Sequence, residues 1–124
     1  MAEIIKEITA PIRQLGQLRP SGTSAEVLFT TPYFGQLDIS TINICNVSAA
    51  AVDISVFHDV DGSTADQTTA LVYTHSLAVG AVMQIDAPID DYQNAGTISV
   101  QVSVANAANF TVYGKLHGET VVPT

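Results

Sequence analysis

The stretch FHDVDGSTADQTTALVYTH, residues 57–75, gathers the side chains with most chemistry to offer: His58, His75, Asp59, Asp61 and Asp66, around Gly62. Carboxylates and imidazoles at this density are what a cation site or an acid–base pair requires. Asp59-Val60-Asp61-Gly62 has the beginning of a calcium loop. The full EF-hand pattern needs a third acidic or amide position just before its glycine, whereas Gly62 directly follows Asp61, and it needs a glutamate six residues after the glycine. Here position 68 is threonine. A looser calcium clip from Asp59, Asp61 and Asp66 is the metal alternative. The simpler reading is a hairpin excursion in which Asp-Gly and Ser form turns and the aspartates accept hydrogen bonds from their own backbone.

His58 and His75 face each other if the strands on either side of this loop pair in simple register. Two histidines and one aspartate still fall short of the four ligands of a structural zinc site, so solvated strand-edge histidines are expected. No G-x-S-x-G elbow and no glycine-rich phosphate loop occur. Asp90 and Asp91, in PIDDYQNAG, read as a solvated turn. Cys45 is the single cysteine, which excludes an internal disulfide, and its apolar context TINICNV predicts a buried, inert thiol. The expectation is a protein with no catalytic, metal or cofactor-binding residues, and not an enzyme.

The elements that must hold these residues are short and β-like. The chain has 124 residues, 47% of them hydrophobic, enough for one domain with its own core. EVLFT (26–30), LDISTINICN (37–46), VDISVFH (52–58), LVYTHSL (71–77), AVMQIDA (81–87), TISVQVSV (97–104) and FTVYGKL (110–116) alternate or are rich in Val, Ile and Thr. In 37–46 the apolar phase moves from Leu37 and Ile39 to Ile42 and Ile44, which predicts a bulge. In 52–58, Val52, Ile54 and Val56 share one face, and Phe57 interrupts the polar one. Seven or eight strands with turns between them predict an all-β antiparallel sandwich, jelly-roll or immunoglobulin-like, each sheet with a buried and a wet face. The boundaries expected are an N-terminal arm over 1–20, a sandwich over 21–118 and a tail over 119–124. The arm, punctuated by Pro11 and Pro20, is extended, and either folds back on its own domain or reaches a neighbour.

Charge narrows the partners. Net charge is −8, yet Lys6, Arg13, Arg19 and Lys115 are the only cations. Between Glu26 and Gly114 stand nine carboxylates and no Lys or Arg. Such a body repels phosphate, so neither nucleic acid nor an anionic membrane is an expected partner. The basic terminal segments are the natural place to meet an acidic one. No stretch is apolar and long enough for a transmembrane helix, and the first residues, broken by Glu3, Lys6 and Glu7, do not read as a secretory leader. A protein kept in the cytoplasm, or assembled there into something larger, is expected.

Four stretches in order carry a resemblance: LGQLRPSGTSAEVLFTTP (15–32), ISTINICNVSAAAVDISV (39–56), LVYTHSLAVGAVMQI (71–85) and AGTISVQVSVANAANFTVYGKLHGE (95–119). Together they resemble a family of small β-sandwich virion proteins of tailed bacteriophages, over Leu15 to Gly118. The chain departs from that pattern at 95–97, where AGT stands in place of a usually acidic residue, and MAEIIKEITAPI has no counterpart. The resemblance implies a structural, non-catalytic part of a virion. The basic arm beside an acidic body leads to the expectation of a homotrimer or other homo-oligomer that contacts the major capsid protein or tail proteins. The first reading is a capsid decoration or cement protein, assembled in the host cytoplasm. The second is a tail, neck or fibre-base component. A reading of another class is a host-surface or carbohydrate-binding module using Tyr33, Phe34 and the 58–68 loop. Candidate assembly contacts are Ile4, Ile5, Ile8, Arg13, Arg19, Tyr33, Phe34 and Lys115, and Tyr92 and Tyr113 are further aromatics expected at a surface.

Overall fold

A computed structural model of the chain describes residues 5–7, 12–30, 36–92, 96–117 and 119–121. The strands are β1 (Ile5–Glu7), β2 (Arg13–Leu18), β3 (Glu26–Thr30), β4 (Gln36–Asn46), β5 (Val52–Asp59), β6 (Ala70–Leu77), β7 (Val82–Tyr92), β8 (Thr97–Val102), β9 (Ala108–His117) and β10 (Glu119–Val121). Every pairing is antiparallel. One sheet has the order β2-β9-β4-β7, the other β3-β8-β5-β6, and β1 pairs with β10 in a separate two-stranded ribbon.

These orders have one generating rule. β5 pairs β6, β4 pairs β7, β3 pairs β8, β2 pairs β9 and β1 pairs β10. The chain is a single nested hairpin with its tip between β5 and β6. Rolling that hairpin adds the contacts of β4 with β9 and of β5 with β8. Eight strands in two such sheets are a jelly roll, which decides between the two sandwich types expected from sequence. Arg13–Leu18, expected in the arm, folds back as an edge strand of its own domain.

The core lies between the sheets. Ile42 and Ile44 of β4, Val52, Ile54 and Val56 of β5, Ile98, Val100 and Val102 of β8, and Phe110 and Val112 of β9 are buried. Burying each such side chain contributes about 1.5–3 kcal/mol. The bulge expected in β4 is present: Ile39 pairs Gly114 and Thr41 pairs Tyr113, which leaves Ser40 as the extra residue. The slip turns Ile42, Ile44 and Asn46 inward, and for the same reason Cys45 points to the other face, half-buried rather than buried. PIDDY, expected in a turn, instead continues β7 to Tyr92. β7 is an edge strand, and Pro88 falls where the register with β4 shifts, between Ile89 and Asp86. An edge bulge is where a strand tolerates proline.

At one end of the roll, the side chain of Asn46 ties both sheets together. It is buried, and its Nδ2 donates to the carbonyls of Ala50 (2.9 Å), Leu77 (3.0 Å) and Ala78 (3.1 Å). Its Oδ1 accepts from Ser48 N (2.9 Å) and Ser48 Oγ (2.7 Å). β4 belongs to one sheet and Leu77 ends a strand of the other. Replacing Asn46 with Ala strips partners from several buried or half-buried backbone groups, so Asn46→Ala is expected to cost about 2–4 kcal/mol. That lowers the melting temperature by about 10 °C for a domain of this size. Thermal unfolding followed by circular dichroism checks it, and an unchanged midpoint contradicts the clamp.

Candidate functional site

The hairpin tip, residues 60–69, is where the chemistry-bearing residues sit. Asp59 Oδ2 accepts from Thr64 N at 2.8 Å and Asp59 Oδ1 from Asp61 N at 3.4 Å. Asp66 Oδ1 accepts from Thr68 N at 2.8 Å and from the Thr68 hydroxyl. Thr69 Oγ1 donates to Thr64 O at 2.9 Å, and Thr69 O accepts from His58 N at 2.9 Å. The aspartates organise their own loop, as the simpler sequence reading expected. The Thr64 amide, above all, holds Asp59 below the ordinary carboxylate range. The Thr68 side chain and amide do the same for Asp66. A Cβ at Gly62 would lie 2.8 Å from Asp59 Oδ2, so a larger residue there would have to displace that carboxylate.

The two histidines do not meet. β5 and β6 pair Ile54 with His75 and Phe57 with Ala70, with register shifts between. His58 therefore lies beyond the last β5–β6 register pair, in register with Ile98 of β8, and His75 stands opposite Ile54. Among the described residues no three His, Cys, Asp or Glu side chains are grouped to hold a metal ion.

The loop folds over the outer face of the β3-β8-β5-β6 sheet. Thr97 Oγ1 donates to Gly62 O at 3.0 Å, and a Cβ at Gly96 would come within 2.3 Å of Asp59 O and 2.4 Å of Val60 O. Thr97, Ser99 and Phe57, all on that outer face, are buried. This face was expected to be the wet one, with Phe57 breaking its polar side. Its cover explains why Phe57 interrupts the polar side of β5. Phe57 meets Tyr73 edge-to-face, ring centroids 6.4 Å apart at 71°. Tyr73 itself is 50% exposed. The next residue, Thr74, has φ of 46°, and its N–H donates to the buried Ser55 Oγ at 2.9 Å. A β-branched residue in the left-handed region is strained, and the irregular β5–β6 register accommodates it.

Beside Tyr73 an open groove of about 410 Å³ runs between the loop at 65–68 and Gln101 of β8. A second hollow of about 200 Å³ continues past Thr74 toward Asp53 and Ser103. Sequence reasoning missed Tyr73, because alternation alone does not show that Phe57 beneath it would be capped by a loop.

The residues expected at assembly contacts are distributed as follows. Arg13 is exposed on β2. Arg19 Nε donates to Asn109 Oδ1 at 2.7 Å, joining β2 to the start of β9. Lys115 stands in β9 in register with Asp38. Ile5 lies in β1, in register with Val121. Tyr113 is exposed. Ile4, Ile8, Tyr33 and Phe34 lie outside the described residues.

No protein-family model matches the chain, and no curated protein matches it. Among solved structures, the chain is similar to one described as the structure of infectious bursal disease virus Gx strain, with 12% identity and a TM-score of 0.41. The likeness covers 95% of this chain but 43% of that one, so the chain spans less than half its length.

Two outcomes follow from the loop. Gly96→Ala must push the 59–60 backbone away and is expected to cost about 1–3 kcal/mol, read from denaturant midpoints; a neutral result contradicts the close approach. Because both aspartates titrate below their ordinary values, their contribution to loop order is present above the unfolded carboxylate pKa and is lost as pH falls through the folded one. The amide resonances of Thr64 and Thr68 should therefore shift only at pH below the free-aspartate range. Midpoints at or above that range contradict the hydrogen-bonded loop.

Proposed function

We propose that the chain is a non-enzymatic virion structural protein, a capsid decoration or cement subunit that binds its own copies and the major capsid protein. The sequence resemblance to small phage virion proteins supports this reading, and jelly rolls recur in viral capsid domains. The observation that carries it furthest is the β1–β10 ribbon. Nested pairing continues past the sandwich, with Ile5 opposite Val121 and Glu7 opposite Glu119, in a ribbon that joins neither four-stranded sheet. Three residue pairs do not sustain a two-stranded ribbon alone in water. A neighbouring subunit or capsid surface supplies the missing contact. The charge split points the same way: Lys6, Arg13 and Arg19 lead into a body without Lys or Arg from 26 to 114. Basic segments against acidic bodies of the next copies favour ordered association.

In this reading Ile4, Ile5, Ile8, Arg13 and Arg19 form the anchor, and Tyr33, Phe34 and Lys115 belong to the same assembly surface. The test removes residues 2–12, which spares all eight strands of the roll. The truncated protein should keep its melting transition but lose particle attachment in co-sedimentation and drop in mass by light scattering. Full attachment and unchanged mass would sink the anchor.

A further inference from the structure

We propose that the groove flanking Tyr73 is a binding site for neutral saccharides. The site needs nothing from the virion reading and stands or falls by itself. A sugar presents a C–H face and a ring of hydroxyls, so its receptor needs an ordered aromatic surface beside planar groups that both donate and accept. The groove has both. Tyr73 is half exposed, while its edge-to-face contact with the buried Phe57 fixes the ring. Gln67, on the loop side, approaches the Tyr73 hydroxyl with its Nε2 at 3.5 Å. Gln101, on the β8 side, lines the groove and is oriented by donating through Nε2 to Thr23 O at 2.9 Å.

Two further features shape the site. The strained backbone at Thr74, pinned by Ser55, offsets β6 where the two hollows adjoin. Such strain persists where surrounding structure over-determines it, and it concentrates at ligand sites. Charge then selects the ligand class. Asp66 and Asp53 line the two hollows and no Lys or Arg does. Carboxylates accept from pairs of sugar hydroxyls but repel sialic or uronic acids. A saccharide without charge is the occupant that fits.

The experiment titrates ¹⁵N-labelled full chain with maltotriose, cellotriose, a trimer of N-acetylglucosamine and, as the anionic control, sialyllactose. At least one neutral sugar should shift Gln67, Tyr73, Thr74 and Gln101 together and saturate with Kd on the order of 1 mM. Tyr73→Ala should weaken binding at least tenfold and Tyr73→Phe little. Gln67→Ala, at an exposed loop position that leaves the core intact, should weaken it several-fold and serves if Tyr73→Ala fails to fold. No shift from any neutral sugar at tens of millimolar, shifts confined to another surface, or equal binding of sialyllactose overturns the proposal. So does a peptide of residues 1–12 that shifts these resonances while sugars do not, which would assign the groove to a neighbouring copy.

Discussion

The jelly roll depends on one buried amide. The twist of the strands biases the hand of the roll, and apolar side chains fill the space between its two sheets. Asn46 supplies a directional constraint. It ends the strand that pairs with both β7 and β9, yet its side chain bonds the carbonyl of Leu77 in the opposite sheet and the turn that launches β5. Around it, Asn46 N donates to Ala81 O and Val47 N to Ala107 O, so several connections close at one end. An apolar residue of equal size would fill the volume but remove the side-chain donor from the buried Leu77 carbonyl and the acceptor from Ser48 N, while Ala50 O and Ala78 O would keep Ser48 Oγ and Ala81 N. A buried polar group that loses its partner costs more than the hydrogen bond itself contributes.

The opposite end is built on a different principle. The hairpin tip is ten residues long and carries no strand, so its order comes from side chains that replace backbone partners. Asp59, Asp66 and Thr69 do this work, and the closed loop then covers Phe57, Ser99 and Thr97. Aspartates so committed to amides define a shaped rim, and the groove at Tyr73 exists because that rim stands above the sheet. One end of the roll is clamped by a buried amide; the other is shaped and open.

Much of the fold was legible because alternation reports burial directly. Glu26–Thr30 coincides with the expected strand, and the phase change in 37–46 located the Ser40 bulge before any pairing was known. β2 was not legible: its bulge between Gln14 and Gly16 scrambles the period of Leu15 and Leu18, and two prolines bracket it. Nor was the length of β7, since Pro88 reads as a breaker unless the strand is known to be an edge. The site was less legible than the fold. His58 and His75 looked paired because register across an irregular hairpin does not follow from sequence, and Tyr73 became notable only once Phe57 was seen beneath it. The signal for Asn46, a polar residue at the inward phase of an apolar strand, was present in INICN.

The roll is closed at one end and carries a shaped rim at the other, and β1 and β10 pair in a separate ribbon. The central proposal is that a neighbour in a virion completes that ribbon. The measurement that tests it most directly is the copy number of the chain in purified particles, by quantitative mass spectrometry against the major capsid protein. A count comparable to the capsid protein is the predicted result. Complete absence from particles would contradict the claim, and a handful of copies would move the subunit from the capsid lattice to the tail, neck or fibre base.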